Sequence, residues 1–152
     1  VLDGWPTPTA SDLTQVPTAT TYTQQLTQAV AKWQAHNIQN YRLMTTYFNI
    51  PKGYAVQREI IVHAGQVASI KCLSREDCFS VPFGEIVLRV EDFYQLAGSV
   101  SDFFQRSETT FVCVRDLQFD EIYGYIAHIA FDCENMVDDE SRVEVAEFEI
   151  LK

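Results

Sequence analysis

The apolar positions of this chain switch between two spacings, and the switches mark out its elements. Tyr22, Leu26, Ala29, Val30 and Trp33 recur every three or four residues, the spacing of one face of an α-helix. Thr21 stands where an N-cap hydroxyl belongs, and Asn37 where a left-handed residue ends a helix. Beyond it the spacing falls to two. Tyr41 to Phe48 and Tyr54 to His63 read as strands, with Ile50-Pro51-Lys52-Gly53 as the turn between them. Ala64-Gly65 is short enough to return the chain directly into Val67 to Cys72, completing a three-stranded meander. Leu73 to Gly84 reads as a loop, and Glu85 to Val90 as either a short strand or the approach to the next helix.

Helical spacing returns with Phe93, Leu96, Ala97, Val100, Phe103 and Phe104, with Glu91 and Asp92 at the electropositive N-terminal end. Gly98 costs about 1 kcal/mol against alanine, which predicts a neighbouring backbone close by. Phe111 to Cys133 then reads as the hairpin around which the fold is organised. Tyr125, Ala127, Ile129, Phe131 and Cys133 fall on one face and His128 and Asp132 on the other. In Phe111 to Val114 both faces are apolar, which predicts a central strand, and Asp116 to Gly124 is too long for a two-residue turn, which predicts a bulge or a wider loop. An acidic loop, Glu134 to Ser141, leads to a last strand, Val143 to Ile150. Val143 and Val145 alternate in one phase there and Phe148 and Ile150 in the other, so a bulge belongs near Ala146 and Glu147. Helix, three strands, helix, three strands predicts an α+β fold: an antiparallel sheet of five to six strands with two helices packed on it.

Composition narrows the function classes. A hydrophobic share of 47% supports a real core, and a net charge of −10 disfavours nucleic acid, which needs clustered Lys and Arg, and anionic lipid surfaces. No apolar run is long enough for a membrane-spanning helix. The chain starts at Val1 rather than Met and has four cysteines, which predicts an exported protein whose signal peptide has been removed. The competing reading is a reducing compartment with four buried thiols. Four cysteines permit three pairings. Cys72 with Cys78 and Cys113 with Cys133 are favoured, the second across adjacent strands, while pairings that tie the meander to the hairpin stay open. The longer bridge would stabilise by about 3 kcal/mol.

Val1 to about Thr21 has a different character from the domain at 22–152. It holds Pro6, Pro8 and Pro17 and a high density of threonine, and its charges are Asp3 and Asp12. Such composition favours an extended arm. Trp5, with Pro6, Pro8 and Pro17 around it, is the candidate partner-binding group, and Thr7, Thr9 and Thr18 are candidate O-glycan acceptors.

Chemistry-bearing motifs are sparse. Asp132, Asp138, Asp139 and Glu140 are weak calcium candidates, since their spacing departs from the EF-hand loop and a solvated acidic loop is the plainer reading. His36, His63 and His128 lack zinc-ligand spacing, and no nucleophile elbow or phosphate-cradling glycine loop occurs. No cofactor is expected.

One set of residues carries a resemblance: Lys32-Trp33, Asn40-Tyr41-Arg42, the hairpin Val62 to Ser69 with its Ala64-Gly65 turn, Val90-Glu91-Asp92-Phe93, and Gly124-Tyr125 followed by Ile129 and Asp132. From about Ala29 to Leu151 the chain resembles the exported bacterial proteins grouped as domain of unknown function 6174. That resemblance implies a small secreted protein or lipoprotein. The family pattern Gly-Tyr-Pro is altered here, with Ile126 in place of proline, and no lipid-accepting cysteine stands at the start.

These readings lead to a noncatalytic extracellular or cell-surface protein, a structural or accessory subunit whose partner is another protein or a further copy of itself. The alternative is an exported binding or inhibitory module using the open sheet face, where exposed Tyr and Phe would mark the site. A hydrolase would require a pocket in which His63 or His128 meets a carboxylate.

Overall fold

The computed structural model describes residues 19–50, 52–74, 77–79, 87–106, 114–131 and 140–152. In chain order they form α1 (Ala19–His36), β1 (Tyr41–Asn49), β2 (Tyr54–His63), β3 (Gln66–Cys72), α2 (Val90–Arg106), β4 (Val114–Phe119), β5 (Ile126–Phe131) and β6 (Ser141–Ile150). All strand pairs are antiparallel, in one six-stranded sheet of order β3-β2-β1-β6-β5-β4. The α+β class and the order of elements are as the sequence predicts. Two three-stranded meanders join where the first strand meets the last.

Alternation decides which face is covered. Tyr41, Leu43 and Tyr47 of β1 and Val56, Ile60 and Val62 of β2 point inward, cross-strand partners in the register Tyr41 to Val62, Leu43 to Ile60 and Tyr47 to Val56. Ala29 and Trp33 of α1 and Phe93, Tyr94 and Ala97 of α2 close over them. Each such large apolar side chain contributes about 1.5–3 kcal/mol by leaving water. The phase change in β6 is real: Met44 pairs with Glu147 and Thr45 with Val145, so Ala146 is the extra, bulged residue. The bulge lets Val143 and Phe148 both face inward.

Several local expectations are corrected. Residue Thr21 lies inside α1, which begins at Ala19. A threonine costs only a few tenths of a kcal/mol in a helix, and extending a formed helix adds a hydrogen bond per residue, so the cap yields to another turn. The Phe111 to Cys133 hairpin is not central. β4 is a terminal strand, and β1 and β6 occupy the middle. Residues 111–113, which supplied the two-sided apolar pattern, lie outside the described residues, and β4 itself continues as the polar Arg115-Asp116-Leu117-Gln118. The strand therefore takes up part of the predicted connection, leaving the turn at 120–125.

In β5 Gln118 pairs with His128 and Phe119 with Ile126, so Ala127 is bulged and Ile126 is turned into the core, which period-two counting missed. Among the described residues Gly98 meets no neighbouring backbone: a Cβ there would sit 3.8 Å from a methyl of Leu26, an ordinary contact. Residues 87–89 are not strand, so this stretch is the approach to α2.

Candidate functional site

At one end of the sheet, β1, β3 and β5 begin and β2, β4 and β6 finish. The start of α2 and the last turns of α1 meet this end. Lys32-Trp33, Asn40-Tyr41-Arg42, the Ala64-Gly65 turn, Val90-Glu91-Asp92-Phe93 and Gly124-Tyr125, far apart in sequence, converge here.

Glu91 is the node. In the first turn of α2, its carboxylate accepts the indole N–H of Trp33 at 3.2 Å and the hydroxyl of Tyr41 at 3.2 Å. Tyr41, fully buried, also accepts the backbone N–H of Val90 at 3.1 Å, one of the orphan donors every helix start presents. Asp92 Oδ2 reaches back to the N–H groups of Leu88 and Arg89, at 3.1 and 2.7 Å, in the manner of a capping box. The Arg89 guanidinium pairs with Asp92 and donates to the carbonyl of Gly65 at 3.1 Å, tying the β2-β3 turn to α2.

The turns interlock through backbone groups. Ala64 and Gly65 both have positive φ, +51° and +75°, as a two-residue hairpin turn demands. The Ala64 N–H is held by Asn40 Oδ1 and the Gly65 N–H by the Gln39 carbonyl, each at 2.9 Å. Asn37, at φ +48°, ends α1 as predicted. In the β4-β5 turn, Asp120 Oδ2 accepts the N–H groups of Ile122 and Tyr123. Gly124 there (φ +84°) packs so closely on α1 that a Cβ would lie 2.5 Å from the Ala29 carbonyl oxygen. Tyr94 donates to the Gly124 carbonyl at 2.7 Å, and Lys32 to that of Glu121 at 2.9 Å.

Burial dominates the phenol chemistry of this end. It raises the Tyr41 hydroxyl above its ordinary range, against the lowering effect of the Val90 N–H, and raises that of Tyr94, with Glu91 and Asp120 adding to the effect. Burial likewise pushes Tyr125 up to about 12, helped by Asp120. These groups stay neutral hydrogen-bonding phenols.

Two clefts flank α1. One, of about 220 Å³, runs between its last turns and α2, lined by Val30, Trp33, Gln34, Ile38, Glu91 and Tyr94. This set can position hydrogen-bond donors on a carboxylate and offers no nucleophile beside a base. The other, of about 320 Å³, lies between the middle of α1 (Gln25, Gln28, Ala29, Lys32) and the inward side chains Leu117 and Phe119 of β4.

The open face of the sheet carries ion pairs. Arg42 is bound by Glu59 at 2.8 Å and Glu147 at 3.0 Å, which raise its pKa, and by Glu149 at 3.9 Å. His128 sits between Asp116 of β4 at 3.2 Å and Glu144 of β6 at 3.1 Å, one carboxylate on each ring nitrogen. The carboxylates lie on opposite sides of the ring and do not converge on a shared point, and His128 lines neither cleft. His63 is exposed. Phe48 shares this face, beneath the Arg142 guanidinium at 4.3 Å. Sequence alone placed His128 on the polar side of its strand. Its partners could be found only from the registers of β4 and β6, which bulges shift.

Of the predicted site residues, Cys72 and Cys78 form a disulfide, Cα atoms 5.6 Å apart. Cys113, Cys133, Asp132, Asp138 and Asp139 lie outside the described residues, as do Trp5, Pro6, Thr7, Pro8, Thr9, Pro17 and Thr18. Glu140 is exposed, its carbonyl accepting the N–H of Ile50. Among the described residues no group of three His, Cys, Asp or Glu side chains is arranged to hold a metal ion, and no helix is long and apolar enough to cross a membrane.

No curated protein and no solved structure matches this chain. Residues 25–150 match a family of unknown function, DUF6174, a span that takes in most of α1, all of α2 and all six strands, and the chain belongs to that family.

Proposed function

We propose that this protein is a noncatalytic extracellular or cell-surface component, a structural or accessory subunit that acts through protein–protein contacts. The observation that supports this reading is the groove between α1 and the terminal strand β4, in a chain whose N-terminal arm is long, rich in proline and threonine, and nearly free of charge. Among the described residues β4 has a strand partner on one side only, and an extended segment that adds to the other side of such a strand gains main-chain hydrogen bonds without a specialised pocket. The Cys72–Cys78 disulfide fits an oxidising compartment.

The test is the mass of the native particle, by light scattering over a concentration series, with and without residues 1–18. The reading expects assemblies that weaken on removal of the arm. A full chain that stays monomeric at every concentration and captures no partner subunit from its own cell surface contradicts it.

A further inference from the structure

We infer that the groove between α1 and β4 is the acceptor for the N-terminal arm of a second copy of this chain, with Trp5 as the inserted side chain. The inference rests on the assembly reading above and names the contact through which that assembly forms.

The groove offers what an extended peptide needs. Leu117 and Phe119 give it an apolar floor, and Gln25 and Gln28, exposed on α1, offer amides to a peptide backbone. Lys32 stands at its wall beside the turn, where an ammonium over an indole face adds a cation–π attraction. At about 320 Å³ the groove falls within the range of small-ligand pockets, large enough for one aromatic side chain with its flanking backbone.

Charge and reach select the occupant. The chain carries −10 overall, so two domains repel one another when they meet face to face. The arm carries only Asp3 and Asp12, which makes it the segment that approaches another copy at least electrostatic cost. Thirteen residues separate Trp5 from Ala19, a span of roughly 45 Å when extended. The groove begins at Gln25, only about 9 Å along the helix from Ala19. An arm returning to its own groove would have to reverse at the start of α1, whereas its proline and threonine content favours a continuing extended path. Transfer of an arm from one copy into the groove of the next is head-to-tail and builds rings or filaments.

The experiment places a photoreactive benzoylphenylalanine at position 5 in the full chain. Unlabelled and 15N-labelled copies are mixed dilute, concentrated, irradiated and mapped by mass spectrometry. Crosslinks are expected between one light and one heavy peptide, joining position 5 to residues 25–32 or 117–124. In parallel, Trp5→Ala and the groove-filling Gln28→Trp, both with unchanged melting temperature, each raise the midpoint concentration of assembly by about tenfold or more. Mixing these two variants restores pairs, since each retains what the other lacks.

Crosslinks only within one isotope would show the arm in its own groove and overturn the inference. Crosslinks to another surface, or assembly untouched by either substitution, would overturn it while leaving the assembly reading in place. A full chain that never assembles would overturn both.

Discussion

The two ends of the sheet are built differently. At the end where α2 begins, Trp33, Tyr41, Asn40, Arg89, Glu91, Asp92 and Tyr94 tie turns and helix starts to one another through side-chain hydrogen bonds. At the other end the β1-β2 turn stands in solvent. Gly53 has φ +68°, a Cβ there would meet none of the described residues within 4 Å, and Ile50 is half exposed. Beside it a covalent bond, Cys72 to Cys78, holds a loop on which Leu73 and Phe79 are exposed. Lys32, Asn40, Tyr41 and Asp92 at the first end satisfy backbone donors and acceptors. The fold gives each of these groups a structural role, and two of the residues at this end, Lys32 and Gly124, also line the groove beside β4.

The widest contrast lies between two glycines. Gly124→Ala forces a Cβ to within 2.5 Å of the Ala29 carbonyl and 3.1 Å of Lys32 Cβ, in a left-handed conformation. It is expected to cost about 3 kcal/mol or more in denaturant unfolding. Gly53→Ala bears only the left-handed strain, about 1 kcal/mol.

Alkaline pH should act next, and at the same end. Because the folded state holds Tyr41, Tyr94 and Tyr125 above the ordinary tyrosine value of 10, it binds more protons than the unfolded chain above that pH. Their contribution is complete below pH 10 and is lost as pH rises through about 12 for Tyr125. Phenolate absorbance should therefore include a late phase, from these buried phenols, coincident with loss of near-ultraviolet circular dichroism.

Tyr41→Phe leaves the Val90 N–H without its acceptor and takes one donor from Glu91, at about 2 kcal/mol. Replacing Cys72 and Cys78 by serine opens a loop of sequence separation six and costs about 2 kcal/mol at most. That loss should leave amide exchange at the Glu91 end unchanged. The smallest effect is expected on the open face: Arg42→Met removes partly exposed ion pairs and shifts stability by less than about 1 kcal/mol, less still in high salt.

Legibility from sequence followed the range of the interactions involved. Strands β1 and β2, the Ala64-Gly65 turn, the Asn37 stop and the Ala146 bulge were legible because a period, a turn dipeptide or a phase break is local. The rank of β4 in the sheet was not, since being central or terminal depends on which distant strands pair, and β1 with β6 is such a pairing. The Glu91 node was hidden for the same reason. Glu91 and Asp92 read as charges suited to a helix start, and nothing local says that one of them reaches an indole and a phenol at positions 33 and 41.

The most direct measurement is native-state amide hydrogen exchange on the intact chain, resolved residue by residue. The amides of Ala64, Gly65, Val90 and Gly124 should exchange only through global unfolding, while Lys52 and Gly53 exchange through cheap local opening. Equal protection at both ends, or faster exchange at Val90 and Gly124 than at Gly53, would contradict the assignment of Tyr41, Glu91, Asp92 and the turns around them to the locking of one end of the fold.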